Sequence, residues 1–417
     1  MKYIDIFAGC GGISLGLHRA GINGIFAIEK SEMAFETLKF NLIDNRNHFS
    51  WVDWLPKKEF DINYILNNYG DNLKELRGKV DLIVGGPPCQ GFSLAGKRNE
   101  NDFRNSLINS YIKFISLVKP NYLLFENVRG FGVGFKKKNG ERGMAYSEHV
   151  IQRLEALGYI IDYKIVNVSQ FGVPQRRNRF IISGVKNTLA KKNDFFERLE
   201  EQRKLFLKCN NLNENVSVKE AISDLLQKNG KIDSLEYKRF KEGKYNNRIK
   251  NNYVKLMKKD SHILPDSHRF PNHSEKTIEK FSYILNCADK NKTISEDIKK
   301  HFNMKKHSVI PLCGKSTSPT LTTLPDDYIH YCEPRILTVR EYARIQSFPD
   351  DFIFKGKYTS GGKNRRFEVP RYTQIGNAIP PFFGEVAGLT IKKWNKEFQK
   401  IKAETKVSEK NNDEVLA

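Results

Sequence analysis

The feature that most constrains this chain is an alternation, over residues 1–185, of short apolar segments with segments of helical periodicity. Runs such as YIDIFA and VDLIVGG are rich in β-branched and aromatic residues, which is typical of strands buried on both faces of a sheet. Strands are predicted at 3–8, 24–29, 80–86, 121–128, 159–168 and 179–185, and helices at 12–21, 31–42 with Ser31 as N-cap, 106–119 and 149–158. The pattern predicts an α/β fold, a doubly wound parallel sheet covered by helices.

Beyond residue 185 the periodic units stop, which predicts further parts of the fold. Residues 186–330 are rich in Asn and Lys, which favour turns, so a smaller loop-rich domain is predicted there, with short helices such as 217–227. Apolar order returns at 337–348 and 378–394. Residues 331–400 are therefore predicted to return to the first domain, followed by a charged tail at 401–417.

The net charge of the chain limits the kinds of partner that it is expected to bind. Lys and Arg number 70 against 48 Asp and Glu, a net charge of +22, and residues 186–310 contain 28 basic against 17 acidic residues. Such an excess suits a polyanion such as nucleic acid, or an anionic membrane surface. The alternative is a Lys- and Asn-rich chain with ordinary solvated faces.

Several classes of protein are not expected. No stretch approaches about 18 uninterrupted apolar residues, so no transmembrane helix is predicted. The start, MKYIDIFAGCGG, lacks the basic-then-apolar layout of a signal peptide, which predicts a cytoplasmic protein. The six cysteines include no CxxC pair, so neither a disulfide framework nor a zinc cluster is indicated.

Chemistry is expected where the parallel strands end, because ligands bind beyond the carboxyl ends of such strands. The first strand leads into FAGCGG, where Gly9 and Gly11 allow a ligand close to the backbone. The spacing is not the dinucleotide fingerprint, and a tight turn is the alternative. Glu29 ends the second strand, where it can accept hydrogen bonds from ribose hydroxyls or merely face the positive end of the next helix.

Two reactive side chains follow the next two strands. GGPPCQGFS holds Cys89 among glycines, prolines and small polar residues, a setting typical of a nucleophilic thiolate. Glu126 ends the following strand and can act as a general acid if partial burial keeps it protonated. In QRRNR, Arg177 and Arg179 lie on one face of an extended segment, where they can fix a carboxylate or bind a carbonyl oxygen, or form a solvated basic edge.

These motifs together resemble those of the bacterial C5-cytosine-specific DNA methyltransferases of restriction–modification type. FAGCGG, GGPPCQGFS, ENV, QRRNR, LTVREYARIQSFP and YTQIGNAIP occur in the family's order, and the similarity covers nearly the whole chain. The resemblance implies a Rossmann-like domain that uses S-adenosyl-L-methionine, with a target-recognition domain in the basic region after QRRNR.

The resemblance also implies roles for single residues. The thiolate of Cys89 matches the nucleophile that adds to carbon 6 of a flipped cytosine, and Glu126 matches the acid that binds ring nitrogen 3. Arg179 resembles the residue that contacts the cytosine 2-carbonyl, and Arg177 the residue that holds the acid and the pocket. No metal is implied.

For the cofactor, the resemblance assigns seven residues. They are Phe7, Gly9, Gly11, Glu29, Asp53, Pro87 and Asn377. Asp53 is the candidate for the adenine amine, with Asp61–Ile62 as a competing register, and Lys30 replaces the apolar residue that some members place after the ribose carboxylate.

The implied partner is double-stranded DNA, with no membrane. Gln90, Ser93 and Arg104, in the loop after the nucleophile, are expected to meet it. A separately encoded restriction endonuclease is a possible partner, and a monomer is expected. The alternatives are a transfer RNA cytosine-5 methyltransferase, a catalytically silent DNA-binding homologue, and an enzyme that binds a nicotinamide cofactor.

Overall fold

A six-stranded sheet forms the centre of the molecule. The computed structural model describes residues 1–88, 105–132, 146–234, 236–258, 264–360, 364 and 367–415. The strands of the sheet are β1 Lys2–Ile6, β2 Asn23–Ile28, β3 Leu82–Gly85, β4 Tyr122–Val128, β5 Tyr159–Asn167 and β6 Asn178–Lys186. They lie in the order β2-β1-β3-β4-β6-β5. Two short pairs lie elsewhere: β7 Lys231–Asp233 with β8 Lys241–Gly243, and β9 Ile310–Pro311 with β10 Tyr328–Ile329.

Helices cover the sheet and also occur, between loops, in the rest of the described chain. The first six are α1 Gly12–Arg19, α2 Glu32–Leu38, α3 Ile62–Asn68, α4 Gly70–Glu75, α5 Asn105–Val118 and α6 Tyr146–Ala156. The others are α7 Phe195–Asn210, α8 Val218–Ile222, α9 Asn252–Met257, α10 Glu275–Cys287, α11 Glu296–His301, α12 Val339–Ile345, α13 Arg371–Asn377 and α14 Pro381–Val415. Among the described residues, no helix has the length and apolar character needed to cross a membrane.

The prediction of an all-parallel sheet is wrong at one strand. β1, β2, β3 and β4 pair in parallel, but β6 runs antiparallel to both of its neighbours, β4 and β5. The reason is the short connection at residues 168–177. It holds only one 3₁₀ turn, Val168–Phe171, whereas a parallel return needs a crossover of a dozen or more residues.

Alternate strand residues enter two different cores. Leu82 and Val84 of β3 belong to one buried cluster, and Ile83 between them belongs to the other, which contains residues of α3 to α6. Both faces are therefore covered, and the α/β fold expected from the continuously apolar strands is confirmed. The predicted N-cap is confirmed too, because Ala34 N donates to Ser31 Oγ at 3.4 Å.

The C-terminal part of the chain completes the first core. Trp394 of α14 is buried against Tyr122 of β4, with ring centroids 5.5 Å apart. Residues of α7, α8 and α9 belong to this same cluster. A small separate cluster consists of Phe281, Ile284, Ile294, Val309 and Ile329. The divisions at residues 185, 330 and 400 stay predictions, and α14 continues through the predicted charged tail to Val415.

Candidate active site

The site lies at the carboxyl edge, the edge of the sheet where β1 to β4 end. The loop after β1 turns sharply here, with φ values of 62° at Phe7, 56° at Gly9 and 90° at Gly11. Ala8 N donates to Ile28 O at 3.0 Å, which holds this loop against the end of β2. A Cβ on Gly9 would meet no atom within 4 Å, so the loop faces open space. A ligand therefore has room beside the backbone of the loop.

Glu29 is held firmly beside this loop. Gly9 N donates to its Oε2 and Ser31 N to its Oε1, each at 2.8 Å. Burial raises the pKa of Glu29, and the backbone N–H groups of Ser31, Gly9 and Lys30 partly offset that rise. Each oxygen keeps a lone pair, so the carboxylate can accept further hydrogen bonds, as a ribose diol would supply.

The two aspartates considered for the adenine amine differ in position. Asp53 is exposed in a turn. Asp61 lies at the carboxyl edge, because Phe60 N donates to Glu29 O at 2.8 Å and Lys30 Nζ approaches Asp61 Oδ2 to 2.9 Å. Burial raises the pKa of Asp61, but the donors of Lys30 and Asn63 outweigh it and hold that pKa below its usual value. The structure thus brings the competing Asp61 to Glu29.

Glu126 and Arg179 form an ion pair at the same edge. Arg179 Nε lies 2.6 Å from Glu126 Oε1, and only 11% and 16% of the two side chains is exposed. The contact is diagonal across two strands, since Arg179 lies opposite Val128 and Ile181 lies opposite Glu126. The antiparallel direction of β6 makes this possible, because it brings the start of β6 to the end of β4.

The chain that leads to Cys89 passes directly beside Glu126. A Cβ on Gly86 would lie 2.0 Å from Glu126 O and 3.4 Å from Glu126 Oε2, so only glycine fits. Asn127 Nδ2 donates to Pro87 O at 3.3 Å. Cys89 itself, with Gln90, Ser93 and Arg104, lies outside the described residues. The structure therefore fixes the backbone up to Pro88, one residue before the predicted nucleophile.

Arg177 contacts other segments than Arg179 does. Its Nη2 donates to Gly376 O at 2.9 Å and its Nη1 to Leu321 O at 3.3 Å. The contact to the Glu126 carboxylate, which the resemblance suggested for Arg177, is made by Arg179. Asn377 follows Gly376 at the end of α13 and is exposed. Arg177 thus connects the start of β6 to the turn that contains Asn377.

Three residues at this junction were not assigned from the sequence. Gln175, Gln346 and Leu321 are buried and meet between β6, α12 and α13. Gln175 and Gln346 lie inside the motifs QRRNR and LTVREYARIQSFP, and the signal for Gln346 was a polar residue within the apolar stretch ARIQSF.

Within the described part of the chain, no group of three or more His, Cys, Asp or Glu side chains is placed to hold a metal ion.

A family model and two known proteins match most of this chain. The family model of C-5 cytosine-specific DNA methylase matches residues 1–393. The chain is 34% identical over 400 residues to the type II methyltransferase M.DdeI of Desulfomicrobium norvegicum, covering 92% of this chain and 87% of that protein. It is 29% identical over 404 residues to M1.HphI of Haemophilus parahaemolyticus, covering 95% and 87%.

Solved structures share the fold. A DNA modification methyltransferase encoded within an Escherichia coli prophage superimposes with a TM-score of 0.63 at 23% identity, covering 94% of this chain and 99% of that one. The Dnmt2 methyltransferase of S. pombe gives a TM-score of 0.52 at 14% identity, covering 96% and 99%. At these identities the similarity concerns the fold alone.

Proposed function

Since this chain belongs to the C-5 cytosine-specific DNA methylase family, we propose that it methylates a cytosine flipped out of double-stranded DNA, through a covalent adduct of Cys89. The observation that carries the proposal is the Glu126–Arg179 pair, set beside the glycine-rich chain that leads to Cys89. A carboxyl group, a guanidinium and a thiol at one sheet edge suit the activation of a pyrimidine ring.

The thiolate of Cys89 supplies the nucleophile. Carbon 5 of cytosine attacks electrophiles poorly until the Cys89 sulfur bonds to carbon 6, which makes carbon 5 enamine-like. Carbon 5 would take its methyl group from the sulfonium of S-adenosyl-L-methionine, whose methyl–sulfur bond breaks to leave S-adenosyl-L-homocysteine. Carbon 5 then loses its proton to water, the bond between carbon 6 and the Cys89 sulfur breaks, and the thiolate leaves. The base is reached by flipping, at an unstacking cost of about a few kcal/mol.

Glu126 and Arg179 bind the edge of the flipped base. Glu126 contacts ring nitrogen 3 and favours the charge distribution that addition at carbon 6 requires. Arg179 keeps Glu126 in place through Nε and has its guanidinium beside the same pocket, where the cytosine 2-carbonyl would lie. Arg177 supports the pocket from behind through Gly376 and Leu321.

S-adenosyl-L-methionine fits the other half of the carboxyl edge and supplies an electrophilic methyl group when bound. Gly9 borders the open space, Phe7 and Gly11 shape the same sharp loop, and Glu29 accepts from the ribose hydroxyls. Asp61, which lies at the edge, takes the adenine amine in place of the exposed Asp53. Pro87 forms a wall near the nucleophile, and Asn377 contacts the methionine end.

The partners of the protein are double-stranded DNA and a restriction endonuclease. Gln90, Ser93 and Arg104 meet DNA, and the basic region 186–330 reads the target site. The protein acts as a cytoplasmic monomer, and a separately encoded restriction endonuclease shares its target, as the names of its type II relatives suggest.

The test is the variant Cys89→Ala. It should transfer no methyl group to DNA while binding S-adenosyl-L-methionine within about twofold of the parent affinity, because the thiol does not contact the nucleoside. Bisulfite sequencing of DNA from cells that express either form gives the readout and the target site. DNA that contains 5-fluorocytosine at the target position should trap the parent protein as a denaturation-resistant adduct, because fluorine on carbon 5 cannot leave as the proton does. It should not trap the variant. Methylation by Cys89→Ala would refute the mechanism, and turnover of transfer RNA without turnover of duplex DNA would refute the substrate.

A further inference from the structure

Two wholly buried amide side chains meet behind the candidate site. Gln175 and Gln346 are each 0% exposed, and Gln175 Nε2 donates to Gln346 Oε1 at 2.7 Å. Buried amides are costly unless their donors and acceptors are paired. The partners of these two amides are therefore informative about what the pair does.

The pair forms a relay of hydrogen bonds with one direction. Leu321 N donates to Gln175 Oε1 at 2.8 Å, and Gln346 Nε2 donates to Ile375 O at 2.8 Å and to Ala378 O at 3.3 Å. A backbone N–H at one end and carbonyls at the other fix which way each amide points. Successive bonds of this kind polarise one another, so the relay is rigid.

The relay ends on both sides of Asn377. Gln346 holds the carbonyls of Ile375 and Ala378, and Arg177 holds the carbonyl of Gly376. Three backbone carbonyls around Asn377 are thus fixed, while the residue itself is exposed. Arg177 and the glutamine relay also both contact the backbone of Leu321. Arg177 Nη1 donates to Leu321 O, and Gln175 Oε1 accepts from Leu321 N.

We propose that the Gln175–Gln346 pair is a positioning device that presents Asn377 to the cofactor and ties that turn to the segment around Leu321. The proposal rests on the proposed function, in which Asn377 contacts the methionine end of S-adenosyl-L-methionine. Neither glutamine touches the cofactor, and both act through the backbone on either side of Asn377.

Calorimetric titration of the DNA-free protein with S-adenosyl-L-methionine tests this role. Gln346→Met keeps the length of the side chain and removes its amide, and it should weaken binding about tenfold, which equals about 1.4 kcal/mol. Asn377→Ala should weaken binding by at least as much. The double variant should bind no more weakly than Asn377→Ala alone, because Gln346 acts through Asn377. At saturating cofactor, turnover of Gln346→Met should stay within about twofold of the parent.

The matched control is Asn41→Leu. Asn41 is also wholly buried, and its amide donates to Thr37 O and Ile353 O rather than to the carbonyls on either side of Asn377. It should lose stability as Gln346→Met does, yet keep its cofactor affinity. Unchanged affinity in Gln346→Met, or losses that add in the double variant, would overturn the inference.

Gln175→Met gives a second way to break the same relay. If Gln346→Met does not fold, Gln175→Met breaks the same relay one step earlier and should weaken binding by about three- to tenfold, again without adding to Asn377→Ala. Unchanged affinity in Asn377→Ala would remove that residue from the proposed cofactor site, and this inference with it. Loss of DNA methylation by Gln346→Met with normal cofactor binding would also overturn the inference, because the pair would then act on the proposed catalytic steps and not on Asn377.

Discussion

At the scale of single residues, position along β6 decides which arginine contacts Glu126. Arg177, Arg179 and Ile181 lie on the same face of β6 and of the segment before it, because side chains alternate along a strand. Only Arg179 lies within a diagonal step of Glu126. Arg177 extends past the end of β4 and reaches the returning C-terminal segment.

Arg179→Lys should lower turnover by about 100-fold or more, because a lysine keeps the charge but lacks the planar fork that serves both Glu126 and the base. Methyl incorporation from labelled S-adenosyl-L-methionine measures it. Arg198→Lys is the control, because Arg198 pairs with Asp194 and Glu397 on the far helices and should keep parent activity. Equal activity in Arg179→Lys would remove the guanidinium from the mechanism.

Asp5 gives the fold a dependence on pH. It is fully buried, and Ser14 Oγ donates to its Oδ2 at 2.5 Å. Burial raises the pKa of Asp5 to about 7. The folded state then binds a proton more tightly than the unfolded chain, so the stability that this group contributes is present below about pH 4 and is lost as pH rises to about 7.

Asp5→Asn should therefore be more stable than the parent at pH 8 by about 1–4 kcal/mol, while the two should be nearly equal at pH 4. Urea unfolding at both pH values measures the difference. The matched control is Asp44→Asn, because the side chain of Asp44 is exposed rather than buried. A difference that stays constant between pH 4 and pH 8 would contradict a raised pKa at Asp5.

At the scale of elements, the strand positions and the parallel direction of β1 to β4 were predicted, whereas the direction of β6 was not. The apolar runs around Val84 and Leu124 predicted buried strands, because they are short, rich in β-branched or aromatic residues and flanked by Gly or Pro. The reversal of β6 had a signal in the sequence, because no helical segment separates residue 168 from residue 178. No signal in the sequence indicated that Gln175 and Gln346, 171 residues apart, contact each other, because local periodicity carries no information on distant contacts.

The stability of the N-terminus of α12 should depend on the negative charge of Glu341. Thr338 and Glu341 form a capping box, and Arg335 binds both oxygens of Glu341 at 2.7 Å. Burial raises the pKa of Glu341, but Arg335 outweighs it and lowers that pKa to about 2. Glu341→Gln leaves Arg335 buried with a weaker partner and should cost about 3 kcal/mol of unfolding free energy in urea.

The chain contains its own control for this prediction. Ser217 and Glu220 form an exposed capping box at α8 without a buried arginine. Glu220→Gln keeps a side chain that can complete the box, so it should cost less than about 0.5 kcal/mol. Equal losses in the two variants would show that capping, rather than the buried charge, stabilises α12.

At the scale of the whole molecule, the net charge of +22 should appear as a salt-dependent affinity for DNA. A protein that neutralises about six phosphates loses about 10³-fold in affinity between 50 and 200 mM salt, because bound counterions are released. Fluorescence anisotropy with Cys89→Ala, which cannot turn over, measures the slope. Affinity that stays flat over this range would assign the charge to ordinary solvated surface.

The reversed strand also governs how this site tolerates change over evolution. A deletion of one residue in segment 168–177 that shifted β6 by one position would place Phe180 where Arg179 lies and turn every later side chain of β6 to the other face. Insertions and deletions there must therefore be absorbed within the loop or lost to selection. The length of this connector is thus constrained together with the chemistry at the start of β6.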